Sequence, residues 1–243
     1  MKLSVIDTLT HTMTSIKNHI GFYVALIVLY LSGQGLLMAL VQWFEEPGFL
    51  MVLLYKVLSL ALDVKLAVTV HRSVLMHEVG VWKRVFWWNR CESEFLVLTF
   101  VLGLFFVVSG FILGLVVSWV FGGWLEAFTE TTQHMLMTFG FSVYTWLIFT
   151  RVSLVFPTLA VNQNLCLEDS VHLSGRYFIP MLCLLSLVPM VSLLVVFFAN
   201  FETNYLTLLI AWMLVGMLLV LNIAILSHVY QQLVSSKETE FSL

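Results

Sequence analysis

A chain of 243 residues that is 60% hydrophobic and only 10% charged, with a mean hydropathy of +1.00, has too little polar surface to wrap a soluble core; soluble domains carry about 25% charged residues. The whole length, residues 1–243, is expected to form a single integral membrane domain. A formal net charge of -3, with the cations spread along the chain, argues against a nucleic-acid partner.

An amphipathic segment opens the chain. Val5, Ile6, Leu9, Met13, Ile16 and Ile20 recur at three- and four-residue spacing, with Asp7, His11, Ser15 and Lys17 on the other face. Such a helix lies in the plane of the membrane interface. A span needs about 20 apolar residues to cross a hydrocarbon core of roughly 30 Å. Six runs qualify: 20–44, 49–70, 95–121, 134–156, 178–199 and 205–230. The first exceeds a signal h-region and no small-x-small site follows it, so it is read as a permanent span. None of the runs alternates as barrel strands do. The fold class expected is therefore all-α: a polytopic membrane protein with six transmembrane helices, paired as three hairpins. Two more interfacial helices are expected, at 82–94 before the third span and at 165–177 before the fifth. Odd spans begin at Ile20, Phe95 and Phe178, so the plan reads as one unit used three times. Shared interface chemistry accounts for that as well as true repetition does.

The cations lie on one side. Loops 45–48, 122–133 and 200–204 hold no Lys or Arg. The opposite side holds Lys2, Lys17, Arg72, Lys83, Arg84, Arg90, Arg176 and Lys237, with Lys65 and Arg151 just inside the spans that lead there. The positive-inside bias then puts both termini in the cytoplasm. Trp82, Phe86, Trp87 and Trp88 interleave with Lys83, Arg84 and Arg90, a mixture that favours the headgroup layer. Lys17, Trp82, Lys83, Arg84, Arg90 and Arg176 are the candidate lipid-headgroup contacts.

The intramembrane polar candidates are Gln34, Lys56, Asp63, Arg151 and Asn222. From the helical rise, Lys56 falls about 10 Å below one surface and Asp63 about 10 Å above the other. A charge at mid-membrane costs about 2.5 to 3.5 kcal/mol, so both should face protein or water. Gln34 matches Lys56 in depth, and Arg151 approaches Asp63. One reading is a polar path; the other is two structural contacts, Lys56 with Gln34 and Asp63 with Arg151 or Lys65. On the third span Gly110, Gly114, Ser118 and Gly122 form a stripe of small residues that suits close helix approach, within the chain or to a second copy or partner membrane protein. His228, near the end of the sixth span, is expected to be interfacial. His71, His77 and Glu78 lack the order of a metal site, and Cys166, His172 and Ser174 lack the third group of a nucleophilic triad. Neither a metal nor a cofactor is expected, and Cys91, Cys166 and Cys183 are read as reduced thiols.

From Arg151 the chain reads as a helix end at Pro157, a turn holding Asn162 and Asn164, a helix opened by Glu168 and Asp169, then Gly175 and Pro180 ahead of the fifth span. Arg151, Pro157, Ala160, Asp169, Ser170 and Arg176, with His71, Arg72, Val74 and Leu75, resemble a group of bacterial six-helix inner-membrane proteins, the YciC-like proteins. The segment is also similar to the membrane domain fused to some glycerophosphodiester phosphodiesterases. Cys166 departs from the pattern, standing where a capping Ser or Thr is expected. The resemblance implies a bacterial inner membrane and carries no catalytic residue. The first functional expectation is a non-enzymatic module organising lipids or partner proteins through its basic, Trp-rich face. The alternative is a small transporter or channel subunit around Lys56, Asp63 and Arg151. A water-filled cavity reaching Asp63 would favour transport, and a dry, packed bundle the module.

Overall fold

Helix formation starts at Ser4, whose hydroxyl accepts from the Asp7 backbone N–H. That cap opens α1 (Val5–Asn18), with Asp7 in the first turn and Lys17 in the last, as the helix dipole favours. The computed structural model describes residues 3–44, 48–125, 128–163, 167–199 and 205–241. After α1 come α2 (Ile20–Gln42), α3 (Phe49–Leu75), α4 (Trp82–Phe86), α5 (Arg90–Leu125), α6 (Glu130–Val152), α7 (Val155–Ala160), α8 (Leu167–Arg176), α9 (Phe178–Ala199) and α10 (Tyr205–Phe241). Among the described residues there is no strand. Much of the three cation-free loops, with Asn164, Leu165 and Cys166, lies outside the described residues. Cys91 and Cys183 are free thiols.

Five helices are long and apolar enough to cross a membrane: α2, α5, α6, α9 and α10. Helix α3 has 27 residues, about 40 Å at helical rise, but Lys56, Asp63, Lys65 and Arg72 make it too charged to be counted with them. Two local expectations need correction. The lead-in expected over 82–94 is interrupted: α4 stops at Phe86 and α5 starts at Arg90. Pro157 does not end α6. The break comes at Ser153 and Leu154, and Pro157 sits in the first turn of α7, where its missing N–H has no partner to lose.

Helix α10 is the centre, packed on α9, α3, α2 and α1. The buried side chains gather towards the end where α1, α4, α7 and α8 lie. One group joins Leu154, Met181, Leu184, Leu185, Ile225 and Val229; a second joins Tyr23, Ile27, Leu66, Val70 and Ala224; a third joins Val64, Val68, Phe95, Phe156 and Ala160. Away from that end Leu36, Phe49, Phe111, Trp119, Met135, Leu193 and Trp212 are exposed.

In lipid, apolar side chains gain little from leaving their surroundings, so close packing and hydrogen bonds hold helices together. Glycine sets two of the contacts. A Cβ on Gly216 of α10 would stand 2.7 Å from Ile27 Cγ2 of α2, and one on Gly110 of α5 would stand 2.0 Å from the Phe141 ring of α6. Gly114, one turn on from Gly110, has nothing within 4 Å, and Ser118 is exposed. The small-residue stripe is thus divided between an internal contact and open surface.

Ile27 is fully buried and cannot yield, so Gly216→Val should destabilise the bundle by about 1 to 3 kcal/mol through overpacking. Gly114→Val should leave stability unchanged. Thermal unfolding of the two variants in detergent checks this; equal melting points would mean that the α2–α10 approach is not tight.

Candidate functional site

A polar ladder joins α2 and α3. Tyr30 and Gln34 lie one turn apart on α2, and Ser59 and Asp63 one turn apart on α3, so each pair shares a face. The Tyr30 hydroxyl donates to Asp63 Oδ1 at 2.7 Å, Gln34 Nε2 donates to the same oxygen at 3.2 Å, and Ser59 Oγ donates to Gln34 Oε1 at 2.9 Å. Both donors converge on one carboxylate oxygen. Asp63 Oδ2 accepts nothing from the described residues.

Asp63 lines an open-sided cavity of about 440 Å³, together with Ala67, His71, Phe95, Phe149 and Asn222. Asn222 Oδ1 is buried without a hydrogen-bond partner, and the amide nitrogen of that side chain is a donor. His71 Nδ1 lies 2.7 Å from Ser227 Oγ, which is also 3.0 Å from the Ile223 carbonyl, so the ring and the hydroxyl tie α3 to α10.

The structure therefore brings Gln34 and Asp63 into one network and sets Asn222 on the same cavity. It leaves Lys56 and Arg151 out, which corrects both expected contacts. Lys56 is exposed on the opened part of α3, its amine 5.5 Å from the Tyr55 ring centre. Sharing a helix face with Asp63 is not enough, because the neighbouring helices cover that face only near Asp63. Arg151 turns into the α8–α9 corner. Its guanidinium lies 4.4 Å from the Phe178 ring centre and against Gly175, and its carbonyl accepts from Ser170 at 3.1 Å and Ser174 at 2.9 Å.

Lys65 is not a partner of Asp63 either. It bonds Glu92 at 2.7 Å and the Trp87 carbonyl at 2.5 Å. The Glu92 side chain is 3% exposed. Its other oxygen accepts from the Asn89 backbone N–H at 2.7 Å, the return half of a capping box on α5. One buried carboxylate thus caps α5 and ties it to α3.

Beside this corner, Glu78 bonds Arg72 at 3.0 Å and also Arg84. Burial works to raise its pKa, but the two guanidiniums outweigh that and hold it below the usual carboxylate range. His77, at φ 55, and Gly80, at φ 78, make the left-handed turns that fold this loop back beneath α3.

Of the expected headgroup contacts, Lys17 and Lys83 are exposed. Trp82 packs on Phe22 with ring centres 5.4 Å apart. Arg84 pairs with Glu78, Arg90 with Glu94 at 2.7 Å, and Arg176 lies over Tyr177. Phe86 and Trp87 are each 68% exposed. Above them, a groove of about 660 Å³ runs between α2 and α3, lined by Leu29, Gly33, Leu36, Leu58, Ala61 and Leu62 and closed at its foot by Phe86, Trp88 and Lys65.

Tyr30, Ser59, Ser227 and Glu92 were not singled out from the sequence. Signals for three existed: the four-residue spacings Tyr30–Gln34 and Ser59–Asp63, and the three-residue spacing from Asn89 to Glu92. Among the described residues no group of three His, Cys, Asp or Glu could hold a metal ion. No family model, curated protein or solved structure matches the chain.

Removing one partner of a buried ion pair costs about 3 to 5 kcal/mol, more than removing both. Lys65→Met should therefore lower the melting temperature in detergent more than Lys65→Met with Glu92→Met together. A double variant less stable than either single variant would show that the pair itself is not the main term.

Proposed function

We propose that this chain is a six-span protein of the bacterial inner membrane, with both termini in the cytoplasm, that works without catalysis by organising membrane lipid. The observation that carries this reading is the α2–α3 groove and the platform at its foot. The groove wall is almost wholly apolar, suited to an acyl chain. Its foot holds Phe86 and the Trp88 indole, and the exposed Lys83 lies on the same short helix as Phe86, a combination suited to the glycerol and phosphate region of a lipid. Ile6 and Met13 of α1, both exposed, give that helix an apolar edge that suits the same layer. The likeness of the Arg151–Arg176 region to YciC-like membrane proteins points the same way, and the cation-free loops support the orientation.

Because Arg84 and Arg90 already face carboxylates, lipid retention should depend on groove shape more than on neutralising those arginines. Native mass spectrometry of the purified protein should show a retained phospholipid that Ala61→Trp, inside the groove, strips away. Leu193→Trp, on the exposed surface of α9, should leave it in place. Equal retention in the two variants would rule the groove out as a lipid site.

Orientation has its own check. Cysteines placed at Glu46, Glu126 or Thr203 should react with an impermeant thiol reagent added outside cells, and one at Ser236 should not; labelling at Ser236 would reverse the topology.

A second reading, a small transporter or channel subunit, is favoured by one observation. The bundle is not solid at Asp63 but contains the 440 Å³ cavity there. An intramembrane carboxylate on a cavity is the usual mark of a transported or bound solute.

A further inference from the structure

The charged group on the cavity is Asp63, whose Oδ2 accepts from none of the described residues. The Tyr30 hydroxyl, which also lines the space, has its proton on Asp63 Oδ1. Among the described residues no Lys or Arg lines the cavity. An anion would meet this carboxylate with no counter-charge and is disfavoured on that ground. What answers Asp63 Oδ2 is a donor, and its charge favours a cationic one.

The rest of the wall decides what the donor is attached to. Phe95, Phe149 and Phe156 lie along it, with ring centres 4.8 Å apart for Phe95 and Phe156 and 5.9 Å for Phe149 and Phe156. Leu60, Leu185 and Leu226 add to the apolar wall. A volume of about 440 Å³ lies in the range of small organic ligands, far above that of one water or a bare inorganic ion. Aromatic faces also attract organic cations once these are stripped of water.

We propose that this cavity binds a lipophilic amine cation, its ammonium donating to Asp63 and its apolar body held against Phe95, Phe149 and Phe156. The claim is one of binding, stands independently of the lipid reading, and supplies the second reading with its ligand class. Tyr30 and Gln34 act as positioning residues. By donating to Oδ1 they fix the carboxylate and leave Oδ2 turned free.

The test is isothermal titration of the full-length protein in detergent with 4-phenylbutylamine and, separately, 4-phenylbutan-1-ol, after subtraction of titrations into empty micelles. The amine should bind saturably at one site and at least tenfold more tightly than the alcohol, which has the same body without the charge. Asp63→Asn should weaken the amine at least tenfold and leave the alcohol unchanged. Should Asp63→Asn fail to fold, Phe149→Ala, judged folded by its melting curve, should weaken amine and alcohol alike, since both carry the phenyl body. Equal affinity of the unaltered protein for amine and alcohol, or amine binding that a folded Asp63 or Phe149 variant leaves intact, would overturn the proposal, as would no saturable amine binding. Failure here leaves the lipid-retention measurement untouched, so the two readings fall separately.

Discussion

The Lys65–Glu92 pair is the contact on which the arrangement of the other elements rests. Glu92 is buried, and an unpaired carboxylate there would cost several kcal/mol. Lys65 removes that cost and also holds the Trp87 carbonyl, so the turn between α4 and α5 is pinned to α3 at two atoms. That pin sets where α4 lies, and α4 in turn closes the foot of the α2–α3 groove with Phe86 and Trp88. It also sets where α5 starts, and Phe95, little more than a turn later, forms a wall of the central cavity. Groove and cavity lie on either side of one helix, α3, and share Tyr30 as a common boundary.

Four other helix pairs near that end carry a polar bond. Tyr23 and Ser73 join α2 to α3 at 2.9 Å; His71 and Ser227 join α3 to α10 at 2.7 Å; Trp146 and Ser186 join α6 to α9 at 2.7 Å. Thr8 reaches Gln232 from α1 to α10 at 3.2 Å. Among apolar helices in lipid, such bonds fix register where oily packing alone would allow sliding.

Sequence reasoning reached the elements better than their contacts. Apolar run length gave the ends of α9 within the residue and those of α2 within two, because a span's length is set by the bilayer and not by its neighbours. It misjudged Pro157, since proline forbids a helix interior but not a first turn, and composition does not say where the turn falls. Depth alone marks Asp63 as anomalous and suggests a cation as its partner, while the structure answers the carboxylate with a phenol and an amide. Depth and helix face place two residues on a cylinder but do not say which cylinder lies opposite, and Arg151, at a suitable depth, faces a different corner. Gly216 passed unnoticed because a lone glycine in an apolar helix has no pattern; only the position of Ile27 gives it meaning.

Helix α3 states the functional question most sharply. Each of its charges carries an insertion cost of a few kcal/mol at mid-membrane, falling towards the interface. Arg72 and Lys65 lie near the interface and have structural partners in Glu78 and Glu92. Lys56 lies on an exposed face, where a long side chain can carry its ammonium towards the headgroups. Asp63 has neither excuse. Its side chain is too short to reach an interface, and among the described residues it has no cationic partner and only one of its two oxygens is answered. An asparagine would accept from Tyr30 as well and carry no charge, so the hydrogen bonds seen do not by themselves account for a carboxylate. What distinguishes aspartate from asparagine at this position is a second acceptor oxygen and a negative charge, and both face the demand of a cationic donor. The structural contacts of α3 thus leave one group unexplained, and that group lies on the cavity.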